Sequence, residues 1–210
     1  MKVLAFDCES SYEHGIIRTM SLMKCEIGPN PVIHWVRKYI ISDQYDYQMT
    51  DKNAQKFVRE LLEDAQSDEE IKGSFYDCLC DIMKILKQNT SHVFMSFSID
   101  NDIRFLYNTD HIQNTRYFKR HPYSYPEDIP IPIVCAQRIL TERCSETNRK
   151  LTGDSSLNSY LQALYQRQQT HRPVQDLLDL FDVLQMAWNL DQFEIPRTTY
   201  MYTKERMKTH

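Results

Sequence analysis

Met1-Lys-Val-Leu-Ala-Phe-Asp-Cys-Glu9 is the stretch on which the reading of this chain turns. Lys2 to Phe6 is an apolar run too short for a helix and rich in Val, Leu and Phe, which predicts a strand buried on both faces. The run ends in acid. Side chains alternate across a strand, so Asp7 and Glu9 project from one face and Cys8 from the other, and two carboxylates converge at the strand's carboxyl end. A cation relieves their repulsion, and hard oxygen donors gathered in this way suit Mg²⁺ or Mn²⁺. A strand that simply ends in water has the same sequence, so the other acids of the chain must decide between the two.

Outward from Glu9, a polar loop leads to the apolar run Thr19 to Ile27, and Gly28-Pro-Asn-Pro31 leads to a second run, Val32 to Ile41. Both read as strands. Neither connection has the dozen or more residues of a parallel crossover, so the first three strands are expected to form an antiparallel meander. Asp51 to Ala65 carries Phe57, Val58, Leu61 and Leu62 at helical spacing. Ser67-x-x-Glu70 reads as a capping box opening a second helix with Ile71, Phe75, Leu79, Ile82 and Leu86. His92 to Phe97 is a fourth strand, reached through a helix and therefore able to pair in parallel. Asp100 and Asp102 follow it, and Ile103, Phe105 and Leu106 begin a helix whose positive end favours carboxylates.

Arg116 to Pro126 is basic, aromatic and interrupted by prolines. It reads as a solvated loop, with a base-stacking and phosphate-binding platform as the alternative. Ile131 to Val134 is expected as the last strand and Cys135 to Cys144 as a helix. Asp154-Ser-Ser156 caps a helix bearing Leu157, Tyr160, Leu161 and Leu164, and Pro173 opens the final helix. Residues 192–210 form a polar tail, leaving one domain over 1–191. The resulting class is α/β, with a five-stranded mixed sheet flanked by helices, three strands antiparallel and two parallel.

Composition sets limits. A chain of 210 residues with 41% hydrophobic residues can build one well-cored domain. No apolar run reaches membrane-spanning length and no leader pattern precedes Lys2, so a cytoplasmic protein without a membrane partner is expected. The six cysteines are scattered among apolar segments without zinc spacing, as reduced packed thiols would be. A net charge of −4 and a pI near 6.0 exclude a wholesale polyanion binder. Nucleic-acid contact would need local basic patches or bound cations. Trp35 and Trp188 are expected in the core.

Together these segments supply an acid pair ending strand one, an Asp just after a later strand, and His171-Arg-Pro-Val-Gln-Asp176 at the start of the last helix. Four carboxylates and one His on separate elements are what two-metal hydrolysis of a phosphodiester requires. Taken singly, His171 before a helix-opening Pro is an ordinary surface residue. Its spacing to Asp176 argues otherwise.

In order and spacing the chain resembles the DEDDh branch of the DnaQ-like 3′-to-5′ exonucleases, within the RNase H-like superfamily. Phe6-Asp-Cys-Glu-Ser10 is similar to the first family motif, Ser96 to Leu106 to the second, and His171 with Asp176 five positions later to the third. Ser156-Leu-Asn-Ser-Tyr-Leu161 is similar to the helix that precedes the third motif. The resemblance implies two divalent cations, Mg²⁺ or Mn²⁺. It implies Asp7, Glu9 and Asp176 as direct ligands, Asp102 as ligand of the second cation partly through water, and His171 as general base. Asp102 rather than Asp100 stands before Phe105-Leu106 at the family's spacing. The chain departs from the family at Ser96, Phe97 and Ser98, where His or Asn is usual, and at Pro173, where Ala is common.

The implied activity is removal of nucleoside 5′-monophosphates from single-stranded DNA or RNA 3′ ends. A polymerase or a second copy of the chain is a partner consistent with it, and an accessory proofreading subunit is a variant of the same reading. The rival from another class is a catalytically inactive nucleic-acid-binding or protein-interaction module on the same fold.

Overall fold

Alternation along β1 (Lys2–Ser10) sorts its side chains onto two separate cores. Leu4, Phe6 and Cys8 pack with the helices α1 (Phe75–Gln88) and α2 (Ile99–Ile112), while Val3 and Ala5 pack with α5 (Leu157–Tyr165) and α6 (Pro173–Asp191). By the same alternation Asp7 and Glu9 stand on the α6 face. The computed structural model describes residues 1–10, 16–42, 64–115, 117–118 and 129–194.

β2 (Ile17–Glu26) and β3 (Val32–Ile41) complete the expected antiparallel meander with β1. Gly28, in the turn between them, has φ +146°, a conformation that side-chain-bearing residues rarely adopt. β5 (Val93–Ser96) pairs in parallel with β1, and β6 (Ile133–Cys135) in parallel with β5. The β1 register shifts between Glu9 and Ser10, so the regular strand breaks just past the second acid.

The sheet has six strands, in the order β4-β3-β2-β1-β5-β6, rather than the five expected from sequence. The sixth is β4 (Glu69–Gly73), in the stretch read as the start of a helix. Ile71 falls four residues before Phe75, a spacing that suits a helix. Residues 69–73 instead satisfy their backbone polar groups by pairing in parallel with the edge of β3, and Glu69 forms a 2.8 Å ion pair with Arg37. The helix starts at the next cap, where Ser74 Oγ accepts from Asp77 N–H at 3.1 Å. It buries Phe75, Cys78, Leu79, Ile82, Met83 and Leu86.

Beyond β6 come α3 (Ala136–Arg143), the short α4 (Ser145–Asn148), α5 and α6. Ser156 caps α5 and Pro173 opens α6, as the sequence predicts. All six cysteines are free thiols, five of them buried. Trp35 and Trp188 lie half-buried at the margins of the cores. The helix expected over Asp51 to Ala65 lies outside the described residues except for Asp64 and Ala65. Most of the basic aromatic loop and the tail beyond Glu194 lie outside them too. Within that loop, Phe118 is buried against Tyr107, with ring centroids 4.2 Å apart, which removes it from any base-stacking platform. Among the described residues no helix is long and apolar enough to cross a membrane.

The β1–β5 seam carries the core, with Phe6 and Phe94 both buried and their ring centroids 5.3 Å apart. Phe94→Ala is expected to cost about 3–5 kcal/mol in urea unfolding, because the rigid sheet cannot collapse into the space left behind. A loss below about 1 kcal/mol would contradict this packing.

Candidate functional site

Three elements bring acids to the carboxyl end of β1. Asp7 and Glu9 come from the strand itself, Asp102 from the first turn of α2 and Asp176 from the first turn of α6. β5 lies beside β1 in parallel, so the helix that follows β5 starts over the same sheet edge. Asp102 and Asp100 are separated cleanly. Asp102 is buried beside Asp7, whereas Asp100 is exposed.

The Asp102 carboxylate is held on both oxygens. Ser96 Oγ donates to Oδ2 at 2.5 Å and Cys8 Sγ to Oδ1 at 3.2 Å. Ser96 thus occupies one of the positions where the chain departs from the family pattern, and it orients the acid. Asp176 accepts from Gln169 Nε2 at 2.5 Å through Oδ2, while its Oδ1 is buried without a hydrogen-bond partner among the described residues. Asp7 Oδ2 is likewise buried without a partner. Two orphaned carboxylate oxygens facing a shared acidic cluster are costly unless a cation or protons meet them.

The charge shows in the protonation equilibria. Burial, then repulsion from Asp102, Asp176, Glu9 and Asp64, pushes the Asp7 carboxyl well above the usual carboxylate range. Burial raises Asp102 to about 6 against the donors Ser96 and Cys8, and raises Asp176 to about 6 against Gln169 and His171. Cys8 is pushed well up by burial and by Asp102, so it stays a thiol and donates.

His171 sits at the mouth of the cluster. It is exposed, and its φ of +54° lies in the left-handed region, unusual for a residue with a side chain. One ligand-capable atom from each of Glu9, His171 and Asp176 lies within 4.8 Å of the others. The backbone turn before α6 therefore aims the imidazole at the carboxylates instead of letting it run out into solvent.

Sequence reasoning missed Asp64, Ser21, Lys38 and Gln169. Asp64 falls at the polar end of a stretch read as helix, and nothing in its spacing sets it apart. Lys38 offered a signal, since a cation in the middle of an apolar strand demands a buried partner.

A scan against protein-family models and a search of curated proteins found no match to this chain.

The raised carboxyls fix a pH dependence. An Asp titrates near 3.8 when unperturbed and Asp102 is pushed up to about 6 in the folded chain, so within that window the folded state holds more protons than the unfolded one. Stability without metal therefore falls as pH rises through the window. Asp102→Asn removes this titration. With metal chelated, the variant should gain on the parent protein by on the order of 3 kcal/mol between pH 4 and pH 7, read from urea unfolding at each pH. A constant difference across that range would mean that Asp102 is not buried among these acids.

Proposed function

We propose that this chain is a metal-dependent phosphodiester hydrolase. Within that class, the reading best supported is a 3′-to-5′ exonuclease acting on single-stranded DNA or RNA and releasing nucleoside 5′-monophosphates. The observation that carries it is the convergence of Asp7, Glu9, Asp102 and Asp176, with two of their buried oxygens unpartnered and His171 turned toward them. The motif resemblance at Phe6 to Ser10, Ser96 to Leu106 and His171 to Asp176 supports the more specific assignment.

The donor set fits divalent Mg²⁺ or Mn²⁺, because every nearby acid offers hard oxygen and no thiolate is available. Asp7, Glu9 and Asp176 would hold such cations directly and Asp102 would serve the second. Bound there, the cations would offset the carboxylate charge and supply Lewis acidity toward a phosphodiester. His171 would take the proton of the attacking water as its oxygen bonds to phosphorus and the bond from phosphorus to the 3′ oxygen of the preceding nucleotide breaks, that oxygen leaving and taking a proton from solvent. The exposed ring can then pass the proton to solvent. Asp102, gripped by Ser96 and Cys8, keeps its orientation throughout. A catalytically inactive nucleic-acid-binding or protein-interaction module is the second reading, favoured by the full occupation of the Asp102 oxygens by protein donors.

Mn²⁺ with end-labelled single-stranded DNA and RNA tests the activity. Asp7→Ala and Asp176→Ala should abolish hydrolysis while the fold persists, since each removes a repelling charge and not a core side chain. Asp102→Asn should cost far more activity than Asp100→Asn. Unchanged turnover in Asp7→Ala or Asp176→Ala, or equal losses at positions 100 and 102, would refute the site assignment.

His171→Ala should lower single-turnover rates by about 10²–10⁴-fold, the usual worth of general base help, while Mn²⁺ still binds in calorimetry through the remaining carboxylates. Lost Mn²⁺ binding would make His171 a ligand, and an undiminished rate would leave it without a role.

A further inference from the structure

A row of polar side chains crosses the sheet beneath the start of α6. Cross-strand register aligns Asp7 with Ser21 and Ser21 with Lys38, so all three project from the α6 face. Ser21 Oγ donates to the Pro173 carbonyl at 2.8 Å. Lys38, 4% exposed, donates from Nζ to Asp64 Oδ2 at 3.0 Å. The Asp64 side chain is wholly inaccessible and accepts from the α6 backbone as well, from Val174 N–H at 3.3 Å and Gln175 N–H at 3.1 Å. Ala65 N–H donates to the same carboxylate at 2.9 Å.

These contacts resolve a local need. Arg172 precedes α6 and caps no amide with its side chain, so the free N–H groups of the first turn need an acceptor from elsewhere. Asp64 supplies it from a distant part of the sequence. An isolated buried carboxylate would be unstable there, and Lys38 neutralises it from the sheet below. Among the described residues the hydrogen bonds and ion pair of Asp64 are with Lys38, Ala65 and the helix backbone, as suits an anchor.

We propose that Lys38 and Asp64 are positioning residues that latch the start of α6 to the sheet and so fix His171 and Asp176 over Asp7 and Glu9. His171 lies three residues before Val174, and Asp176 lies one residue after Gln175. Both proposed functional side chains thus flank the two amides that Asp64 holds. A shift of the helix start would move the base and a ligand together relative to the strand. This inference rests on the hydrolase reading of the site and assigns the residues that make its geometry rigid.

The test uses the full chain and three variants: Lys38→Arg, Asp64→Asn, and the double variant Lys38→Met/Asp64→Leu. The double variant exchanges the ion pair for apolar side chains, a replacement that folds generally tolerate, while deleting the helix cap. Three quantities are read: amide exchange at Val174 and Gln175, Mn²⁺ affinity by calorimetry, and kcat and KM on a single-stranded oligonucleotide. In the double variant and Asp64→Asn, exchange at the α6 start should accelerate at least about tenfold while α1 keeps its protection. Mn²⁺ affinity or kcat should fall about 10–100-fold, the usual cost of losing a group that orients a ligand. Lys38→Arg, which keeps the charge, should recover most of both.

Wild-type Mn²⁺ affinity and kcat in a folded double variant would overturn the latch and leave the hydrolase reading intact. Exchange raised equally throughout the sheet would also overturn it, because the pair would then serve stability alone. Absence of both Mn²⁺ binding and hydrolysis in the parent protein would overturn the hydrolase reading and the latch with it.

Discussion

Repulsion among acids is the constraint on which the rest of this structure depends. Asp7, Glu9, Asp102 and Asp176 meet at one end of one strand, and Asp64 stands close enough to add to the field at Asp7. Each acid is handled differently. Asp102 receives two side-chain donors, Asp64 receives a lysine and three amides, and Asp176 receives Gln169 on one oxygen. Among the described residues, an oxygen each on Asp7 and Asp176 is buried and unmet. Two unmet oxygens on one acidic cluster are costly by themselves, and the cations proposed here would relieve that cost.

The sheet makes this arrangement possible by dividing its labour between faces. On one face Leu4, Phe6 and Cys8 join α1 and α2 in an apolar core, which fixes β1 and delivers the start of α2 to its end. On the other face Val3 and Ala5 pack under α6, and the same face turns polar toward Asp7, Ser21 and Lys38. The apolar part holds α6 down along its length, where Val174, Leu177, Leu180, Val183 and Leu184 are buried. Its polar end is held by specific hydrogen bonds, which set position more sharply than apolar contact can.

Rigidity around the acids contrasts with the setting of His171. The His is exposed, in a left-handed turn between α5 and α6, yet its ring reaches Glu9 and Asp176. In the mechanism proposed here, that placement lets the ring exchange protons with solvent while it stays within reach of the buried carboxylates. The backbone cost of the turn, of order 1 kcal/mol or more for a residue with a side chain, is borne by the ordered elements on either side of it.

Much of this was legible in the sequence, because the relevant physics is local. An apolar run ending in alternating acids makes β1 and sends Asp7 and Glu9 to one face; short polar connections make the meander; Ser156 and Pro173 mark helix starts. Other features depend on distant chain segments meeting. Glu69 to Gly73 becomes a strand only because the edge of β3 offers it hydrogen bonds, which a window holding helical spacing at Ile71 and Phe75 does not reveal. Asp100 and Asp102 are two residues apart on one helix turn, and only the packing of α2 on the sheet decides that one is buried and the other exposed. The Lys38–Asp64 pair joins residues 26 positions apart and caps a helix more than a hundred positions further on. Periodicity fixes which way a side chain points within its own element; which charge it meets is settled by tertiary contacts, because burial and Coulomb energy depend on distances through space and not along the chain.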